Sequence, residues 1–109
     1  RVVQVVDGDT VGLGCPARGY ERARLLGFDT PELFSPGCAG ELTAALTAKW
    51  RLRVLIWTAA EVRTVRSGED RYGRALVSLI LDGQDVRRTM IAEGHARPYD
   101  GGERQEWCA

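Results

Sequence analysis

The sequence lacks the features that would direct it to a membrane or draw it to a polyanion through overall charge. No apolar run approaches the roughly 20 residues of a membrane span, and the first residues do not resemble a signal peptide. Formal net charge is zero, because 15 basic residues face 15 acidic ones. Any binding of nucleic acid must therefore come from a local patch. Because the sequence opens within a strand-like run, we expect a mature or trimmed piece, and the missing signal excludes no compartment.

Lysine and cysteine are also scarce. Lys49 is the single lysine among 15 basic residues, so the other 14 are arginines. Genomic base composition explains most of them, and bidentate phosphate contact remains for particular positions. The 3 cysteines, Cys15, Cys38 and Cys108, include no close C-x-x-C pair, so even with His95 we predict no structural zinc site. The residues alone fit equally a Cys38–Cys108 disulfide and three unpaired thiols.

The sequence pattern predicts one domain of mainly β structure. A length of 109 residues with 44% hydrophobic content suits a single core and excludes disorder. Strands are predicted at 2–6, 11–13, 21–28, 61–65 and 75–81, with a loop at 14–19 and a turn at Ser67-Gly68. The stretch 95–109 has little periodicity, and its later part, about 97–109, is expected to be an extended tail.

Two helices complete the predicted fold. An apolar stripe of helical period predicts a helix over 40–57, formed by Leu42, Ala45, Leu46, Leu52 and Ile56. Asp85 is a favourable N-cap for a second helix through Glu93, and Gly94 is its natural stop. This order predicts an α+β class, with a five-stranded closed or nearly closed barrel of the oligonucleotide-binding (OB) type and two packed helices.

Charged residues interrupt the apolar run at 24–32, which reads Arg-Leu-Leu-Gly-Phe-Asp-Thr-Pro-Glu. Arg24 and Asp29 would be costly to bury unpaired, so they indicate a pocket for a charged ligand. Five residues apart, they would point to opposite faces of a regular strand. A shared site therefore requires a bulge or bend, for which Gly27 is the suitable position.

Acidic and basic residues elsewhere extend this candidate site. Asp7 and Asp9 precede the second strand, and if the meander brings Asp9 to Asp29, their repulsion calls for a hard divalent cation with oxygen ligands. Taken alone, Asp7-Gly8-Asp9 is an ordinary turn. Arg24 and Arg74 are candidates for a two-sided phosphate clamp, although each alone would be typical of a surface arginine. Glu32 is a candidate for orienting or deprotonating an attacking water.

Three segments together resemble the staphylococcal nuclease (thermonuclease) family. They are Asp7-Gly8-Asp9-Thr10, the stretch 24–32, and Asp70-Arg71-Tyr72-Gly73-Arg74, in the family's order and with similar gaps. The resemblance implies the family's five-stranded OB barrel and calcium-dependent hydrolysis of DNA and RNA to 3′-phosphates. It also implies a monomer whose partner is single-stranded DNA or RNA. Two alternatives stay open: a non-catalytic nuclease-like module that binds oligonucleotides or proteins, and a structural domain with an idle site.

Roles follow from the resemblance residue by residue. It makes Asp9, Asp29 and the Thr30 carbonyl calcium ligands, and it places Asp7 beside the metal through water. It makes Arg24, Arg74 and Glu32 the catalytic residues. It assigns nucleotide contacts to Arg71, Tyr72 and Tyr99.

Two further features are compared with the family. The neutral charge differs from the strongly basic best-known member, which implies weaker attraction to polymeric nucleic acid. The tail, with its late Cys108, is similar to that of some bacterial relatives, and this favours the Cys38–Cys108 disulfide. A disulfide would in turn favour a periplasmic or secreted location.

Overall fold

Short strands rich in β-branched and apolar residues build most of the fold. The computed structural model describes residues 1–15, 19–31 and 37–99. In chain order the elements are β1 (Val2–Asp7), β2 (Thr10–Cys15), β3 (Gly19–Leu25), β4 (Phe28–Asp29), α1 (Ala39–Thr58), β5 (Val62–Glu69), β6 (Ala75–Leu81), β7 (Gln84–Asp85), α2 (Val86–Ala92) and β8 (Arg97–Pro98).

The main sheet has the strand order β1-β2-β3-β6-β5, and β7 adds to β6. β3 and β6 run parallel, whereas the other pairs are antiparallel. A second, two-stranded sheet joins β4 to β8. These elements confirm the predicted class, mainly β with two helices and OB-like. Within the described residues β1 and β5 remain the edges of the sheet, so strand pairing does not close it into a barrel.

No helix in the ranges 1–15, 19–31 and 37–99 combines the length and the apolarity that crossing a membrane requires.

One hydrophobic core lies between the sheet and the two helices. Its largest fully buried side chains include Phe28, Leu25, Leu52, Leu79 and Met90. These come from both helices and from three strands, so burial of these side chains fixes the helices on the sheet. The core therefore holds in place the strand ends that carry the candidate site.

Helix α1 matches the predicted range, but only part of the predicted apolar stripe faces the core. Its buried residues are Glu41, Ala45, Ala48 and Leu52, whereas Leu42 and Leu46 are 38% and 52% exposed. The prediction that these two leucines face the core is therefore wrong. The helix packs closely over the β1–β2 hairpin, where alanine fits and a longer side chain would not.

The second hairpin is longer than the sequence pattern indicated. β5 runs through Ser67-Gly68 to Glu69, and the chain reverses only at residues 70–74. The predicted turn at Ser67-Gly68 is therefore wrong. A register shift between Arg66 and Gly68 shows the reason, because the strand absorbs the glycine as a bulge. The reversal thus falls within the segment Asp70-Arg71-Tyr72-Gly73-Arg74.

The second helix agrees with the prediction, and a short strand follows it. The Asp85 side chain caps α2 by accepting from the Arg87 backbone N–H at 2.9 Å. Gly94 follows the helix with a φ of 80°, which suits a glycine stop. After it, β8 pairs with β4, so the beginning of the predicted tail forms a short strand. The rest of that tail, from 100 onward, lies outside the described residues.

Candidate functional site

A polar pocket of about 230 Å³ opens where three segments of the chain meet. The β1–β2 hairpin, the β3–β4 segment and the start of β6 contribute its walls. The lining residues are Val6, Asp7, Asp9, Thr10, Arg22, Arg24, Asp29, Thr30, Pro31 and Arg74. The acidic and basic candidates from distant parts of the sequence therefore share one cavity.

The β1–β2 hairpin places its two aspartates through a tight turn at Gly8. A Cβ at Gly8 would lie 2.9 Å from the Cβ of Ala48 and 2.9 Å from the side chain of Thr30. Real Cβ atoms do not approach other atoms so closely, so only glycine fits between α1 and the segment after β4. Asp7 and Asp9 flank this position, and the backbone N–H of Asp9 donates to Asp7 Oδ1 at 3.1 Å.

A turn at Leu26-Gly27 brings Arg24 and Asp29 to the same side. β3 ends at Leu25, Gly27 has a φ of 90°, and β4 starts at Phe28. Arg24 Nη2 then lies 3.3 Å from Asp29 Oδ1. The predicted break at Gly27 is therefore confirmed, and it corrects the parity that a continuous strand would have imposed.

Arg24 links the two most buried carboxylates of the pocket. Its guanidinium forms an ion pair with Asp9 as well as with Asp29, and these aspartates are only 7% and 3% exposed. Asp9 also accepts from the Thr30 backbone N–H at 3.2 Å and from the Thr10 hydroxyl at 3.1 Å. Each of these contacts offsets the cost of burying a carboxylate.

The two aspartates of the hairpin differ in acidity. Burial raises the pKa of Asp7 to about 7, and repulsion by Asp9 adds to the shift. Burial also raises the pKa of Asp9, but the charge of Arg24 and hydrogen bonds from Asp7 and Thr30 outweigh it, so this pKa is lowered. Asp9 is therefore ionised at neutral pH, whereas Asp7 is partly protonated.

Arg74 enters the pocket from the turn between β5 and β6, and Asp70 holds it there. Asp70 Oδ2 accepts from Arg74 Nε at 2.7 Å. Asp70 Oδ1 accepts from the backbone N–H groups of Tyr72 and Arg74, each at 2.9 Å. The Tyr72 ring lies 5.8 Å from the Arg74 guanidinium carbon. Because Asp70 accepts from Nε, the outer nitrogens of the Arg74 fork are the donors that remain for a ligand.

The predicted nucleotide-contacting residues surround the pocket rather than line it. Tyr99 places its ring 5.5 Å from the guanidinium carbon of Arg24, and its backbone N–H donates to Gly27 at 3.0 Å. Tyr72 lies against Arg74 and also 5.7 Å from the guanidinium carbon of Arg71. All three stay predictions as nucleotide contacts.

The carboxylates of the pocket suit a hard cation. Asp9 and Asp29 already hold one cationic group between them, the Arg24 guanidinium. Carboxylate and carbonyl oxygens are the ligands that calcium prefers. In the described part of the chain no group of three or more Asp, Glu, His or Cys side chains could hold a metal ion. The ligands that the sequence predicts are two of these carboxylates, Asp9 and Asp29, together with the Thr30 carbonyl. The metal role of each stays a prediction.

Two of the predicted residues are not among those that the structure describes. Glu32, the predicted catalytic glutamate, and Cys108, the predicted disulfide partner, lie outside the described residues. Cys38 precedes α1 as its N-cap and is disulfide-bonded. Cys15 is free, and its thiol donates to Glu21 Oε1 at 3.6 Å. The structure thus supplies one half of the predicted pairing, and the identity of the other half stays a prediction.

Three residues of the site were missed by the sequence reasoning. Arg22 lines the pocket, Thr10 bonds to Asp9, and Asp70 holds Arg74. Arg22 could have been found from the two-residue period of a strand, because it precedes Arg24 by two positions. Thr10 and Asp70 both fell within motifs already recognised, but their roles depend on hydrogen bonds that spacing does not show.

The fold and the pocket together define an OB-like α+β domain with an arginine-carboxylate site. A sequence profile of the family described as "Staphylococcal nuclease homologue" matches residues 22–107. The chain therefore belongs to the staphylococcal nuclease family.

Individual relatives are similar over most of this chain. The thermonuclease of Staphylococcus intermedius is 29% identical over 96 residues, which cover 88% of this chain and 56% of that protein. An uncharacterized endonuclease of Haemophilus influenzae is 33% identical over 101 residues, covering 91% and 51%. Endonuclease YhcR of Bacillus subtilis is 29% identical over 106 residues, covering 90% and 9%. The chain thus spans about half the length of the first two and a small part of the third.

Proposed function

We propose that this domain is a calcium-dependent nuclease that hydrolyses phosphodiester bonds in DNA and RNA and leaves 3′-phosphates. One observation carries the proposal: the guanidiniums of Arg24 and Arg74 line the same small pocket as the buried carboxylates of Asp9 and Asp29. Hydrolysis of a phosphodiester with a divalent cation needs carboxylates that bind the cation and guanidiniums that stabilise the negative charge of the phosphate. Membership of the nuclease family and the names of the relatives support the same activity.

The two arginines bind the phosphate from different sides. Arg24 approaches from β3 and Arg74 from the turn before β6. Planar guanidinium forks match phosphate oxygens and gain strength as negative charge develops on them in the transition state. Asp70 on Arg74 and the Tyr99 ring beside Arg24 restrict the orientations of these forks, which lowers the cost of ordering them when substrate binds.

The acidic residues bind the cation and accept the proton of the attacking water. Asp9, Asp29 and the Thr30 carbonyl would hold calcium, which when bound contributes positive charge beside the phosphate. Glu32 accepts the proton of the attacking water. The water oxygen bonds to phosphorus, the bond from phosphorus to the 5′ oxygen breaks, and that oxygen takes a proton from solvent water, so the phosphate stays on the 3′ side. The substrate is single-stranded DNA or RNA, bound by a monomer.

A cleavage assay with a matched pair of glutamate variants tests the activity. Single-stranded DNA and RNA are incubated with the protein in calcium or in a calcium chelator, and products are identified by mass spectrometry. We expect 3′-phosphate products in calcium only. Glu32→Gln should lower the rate by about 10²–10⁴-fold, which is the usual contribution of a general base. Glu61→Gln, an exposed control outside the pocket wall, should leave the rate unchanged.

One result would contradict this function, and another would contradict only the role of Glu32. Equal and negligible cleavage by the wild type in calcium and in chelator would remove the nuclease proposal. Tight oligonucleotide binding under those same conditions would instead support the alternative, a non-catalytic nuclease-like binding module. Equal cleavage by the Glu32→Gln variant and the wild type would remove Glu32 from the mechanism while leaving the activity.

A further inference from the structure

We propose that β3 extends the pocket into a second substrate-binding site, in which Arg22 contacts the phosphate next to the one that is cleaved and Tyr20 stacks on a base. The inference rests on the proposed function, because it concerns the strand of nucleic acid that the site would cut. It assigns a binding role to two residues that the family resemblance did not mark.

The first observation is the position of Arg22. Arg22 and Arg24 lie two residues apart on the same face of β3, and both line the pocket. Two residues of a strand span about 6.6 Å, so the second guanidinium lies one step farther along the strand than the first. A single-stranded nucleic acid presents one phosphate per nucleotide, and a groove that follows its backbone needs such successive cations.

The second observation is that Arg22 is the arginine of this pocket with its charge still available. Arg24 is paired with Asp9 and Asp29, and Arg74 is paired with Asp70. Within 1–15, 19–31 and 37–99, Arg22 makes no ion pair, and its side chain is exposed. A solvated arginine at the rim of a pocket can bind an anion without first breaking a salt bridge.

The third observation is the aromatic ring that continues this line. Tyr20 precedes Arg22 by two residues on the same face of β3 and is 53% exposed. Its hydroxyl donates to Gln4 Oε1 at 2.6 Å. The ring lies over Gly12, where an added Cβ would be 2.5 Å from a ring carbon. An exposed ring that is anchored at its hydroxyl is a stacking platform for a base, and an alternation of basic and aromatic residues is typical of single-strand binding.

The balance of charge in the pocket also favours binding contacts beyond the cleaved phosphate. Three carboxylates, from Asp7, Asp9 and Asp29, face three guanidiniums, from Arg22, Arg24 and Arg74. The whole chain also has no net charge. Long-range attraction cannot supply affinity for a polyanion here, so additional affinity has to come from direct contacts beyond the cleaved phosphate.

Binding of a fluorescent single-stranded 12-mer tests this site independently of cleavage. The measurement uses the Glu32→Gln protein with calcium, over a series of salt concentrations. Arg22→Gln should weaken binding at least fivefold and should reduce the slope of log affinity against log salt by about 0.7, the value for one phosphate contact on a single strand. Tyr20→Leu should weaken binding at least fivefold with no change in this slope. Arg88→Gln, which removes one exposed charge on α2, should change neither quantity.

Cleavage of substrates of different length gives the second arm. In the protein with Glu32 intact, Arg22→Gln should lower kcat/KM at least fivefold for the 12-mer and by a clearly smaller factor for a dinucleotide, which has no neighbouring phosphate. If Arg22→Gln behaves like Arg88→Gln in both arms, the second site does not exist. If it affects the dinucleotide as strongly as the 12-mer, Arg22 serves the cleaved phosphate and the proposal is wrong.

The two proposals fail separately. A wild-type protein that binds the 12-mer but does not cut it would contradict the nuclease function, and the Arg22 and Tyr20 effects on binding would still establish the second site. A wild-type protein that cuts the 12-mer, with no response to either variant, would contradict the second site alone. Calcium affinity measured for Arg22→Gln adds a further check. A marked rise together with unchanged oligonucleotide binding would show that Arg22 is only a counter-ion of the acidic residues.

Discussion

Arg24 and Asp29 face each other across the Leu26-Gly27 turn, with Arg24 Nη2 3.3 Å from Asp29 Oδ1. The same guanidinium pairs with Asp9, so the two buried carboxylates share one cationic group. These are also the carboxylates proposed to bind calcium. A metal ion bound at the proposed site would therefore compete with Arg24 for the same oxygens and would leave the guanidinium available for a phosphate.

This competition predicts that Arg24→Gln binds calcium more tightly than the wild type while losing activity. Removing the guanidinium takes away a positive charge beside the ligands, and the two carboxylates then repel each other until a cation arrives. Isothermal titration calorimetry should show a severalfold rise in calcium affinity. Thermal unfolding should show a larger stabilisation by calcium than in the wild type, because the buried carboxylates of the metal-free variant lack the positive charge of Arg24. Cleavage should fall by about 10²-fold or more.

The control for this prediction is Arg88→Gln, which changes the net charge equally but lies on α2. It should leave calcium affinity unchanged. A fall in calcium affinity in Arg24→Gln would show that the arginine organises the carboxylates for the metal instead of competing with it.

From the Leu26-Gly27 turn we predict different effects on cleavage for alanine at Gly27 and alanine at Gly94. Gly27 and Gly94 have φ values of 90° and 80°, so alanine at either should cost about 1–2 kcal/mol of unfolding free energy. A Cβ at Gly27 would also lie 2.6 Å from Arg87 Cδ, but that long side chain can move away. We therefore expect similar stability losses in urea denaturation, and a loss of cleavage in Gly27→Ala alone, because this turn sets Arg24 against Asp29. Full activity of Gly27→Ala would contradict that role of the turn.

Local sequence patterns predicted most of the elements that carry the site. Helix α1, the cap of α2 at Asp85 and the break at Gly27 depend on interactions between residues close in sequence, and all three are confirmed. The gathering of distant segments was predicted through the family resemblance, because no local pattern states which strands will meet. Glu32 and the Thr30 carbonyl keep roles that are still predictions.

The errors arose where tertiary packing decides between locally equivalent choices. Ser67-Gly68 is a good turn sequence, yet pairing with β6 carries the strand past it and reduces the glycine to a bulge. Helix α1 has apolar residues on more than one side, and the close approach to Gly8 selects the face with Ala48 instead of the one with Leu46. The sequence does not distinguish Arg22 from the many other arginines, and only the folded structure shows that it lines the pocket.

The disulfide at Cys38 predicts a marked loss of stability on its removal. Cys38 is disulfide-bonded at the start of α1, and the predicted partner Cys108 would close a long loop. Cys38→Ser should therefore lower the unfolding free energy by on the order of 2–4 kcal/mol. Cys15→Ser, at the free and half-buried cysteine, should change it by less than about 0.5 kcal/mol. Peptide mass spectrometry without reduction should find Cys38 linked to Cys108, and free thiols at both would refute the pairing.

From the contacts of Asp70 we predict that this residue contributes to stability in a pH-dependent way and also contributes to the cleavage rate. Burial raises its pKa, but hydrogen bonds from the backbone and side chain of Arg74 and from the Tyr72 amide outweigh burial, so the pKa is lowered. A lowered folded-state pKa means that the carboxylate's stabilisation is complete above the ordinary pKa of aspartate, near 3.9, and is lost as pH falls through the folded value. Urea denaturation should therefore show Asp70→Asn less stable than the wild type at pH 7, with the difference shrinking below about pH 4.

At pH 7 the variant should also lower kcat by about ten- to a hundredfold, because Arg74 loses the acceptor that fixes its Nε. The exposed Glu61→Gln serves as the control and should show neither effect. An unchanged kcat in Asp70→Asn would mean that Arg74 holds its catalytic orientation without this contact.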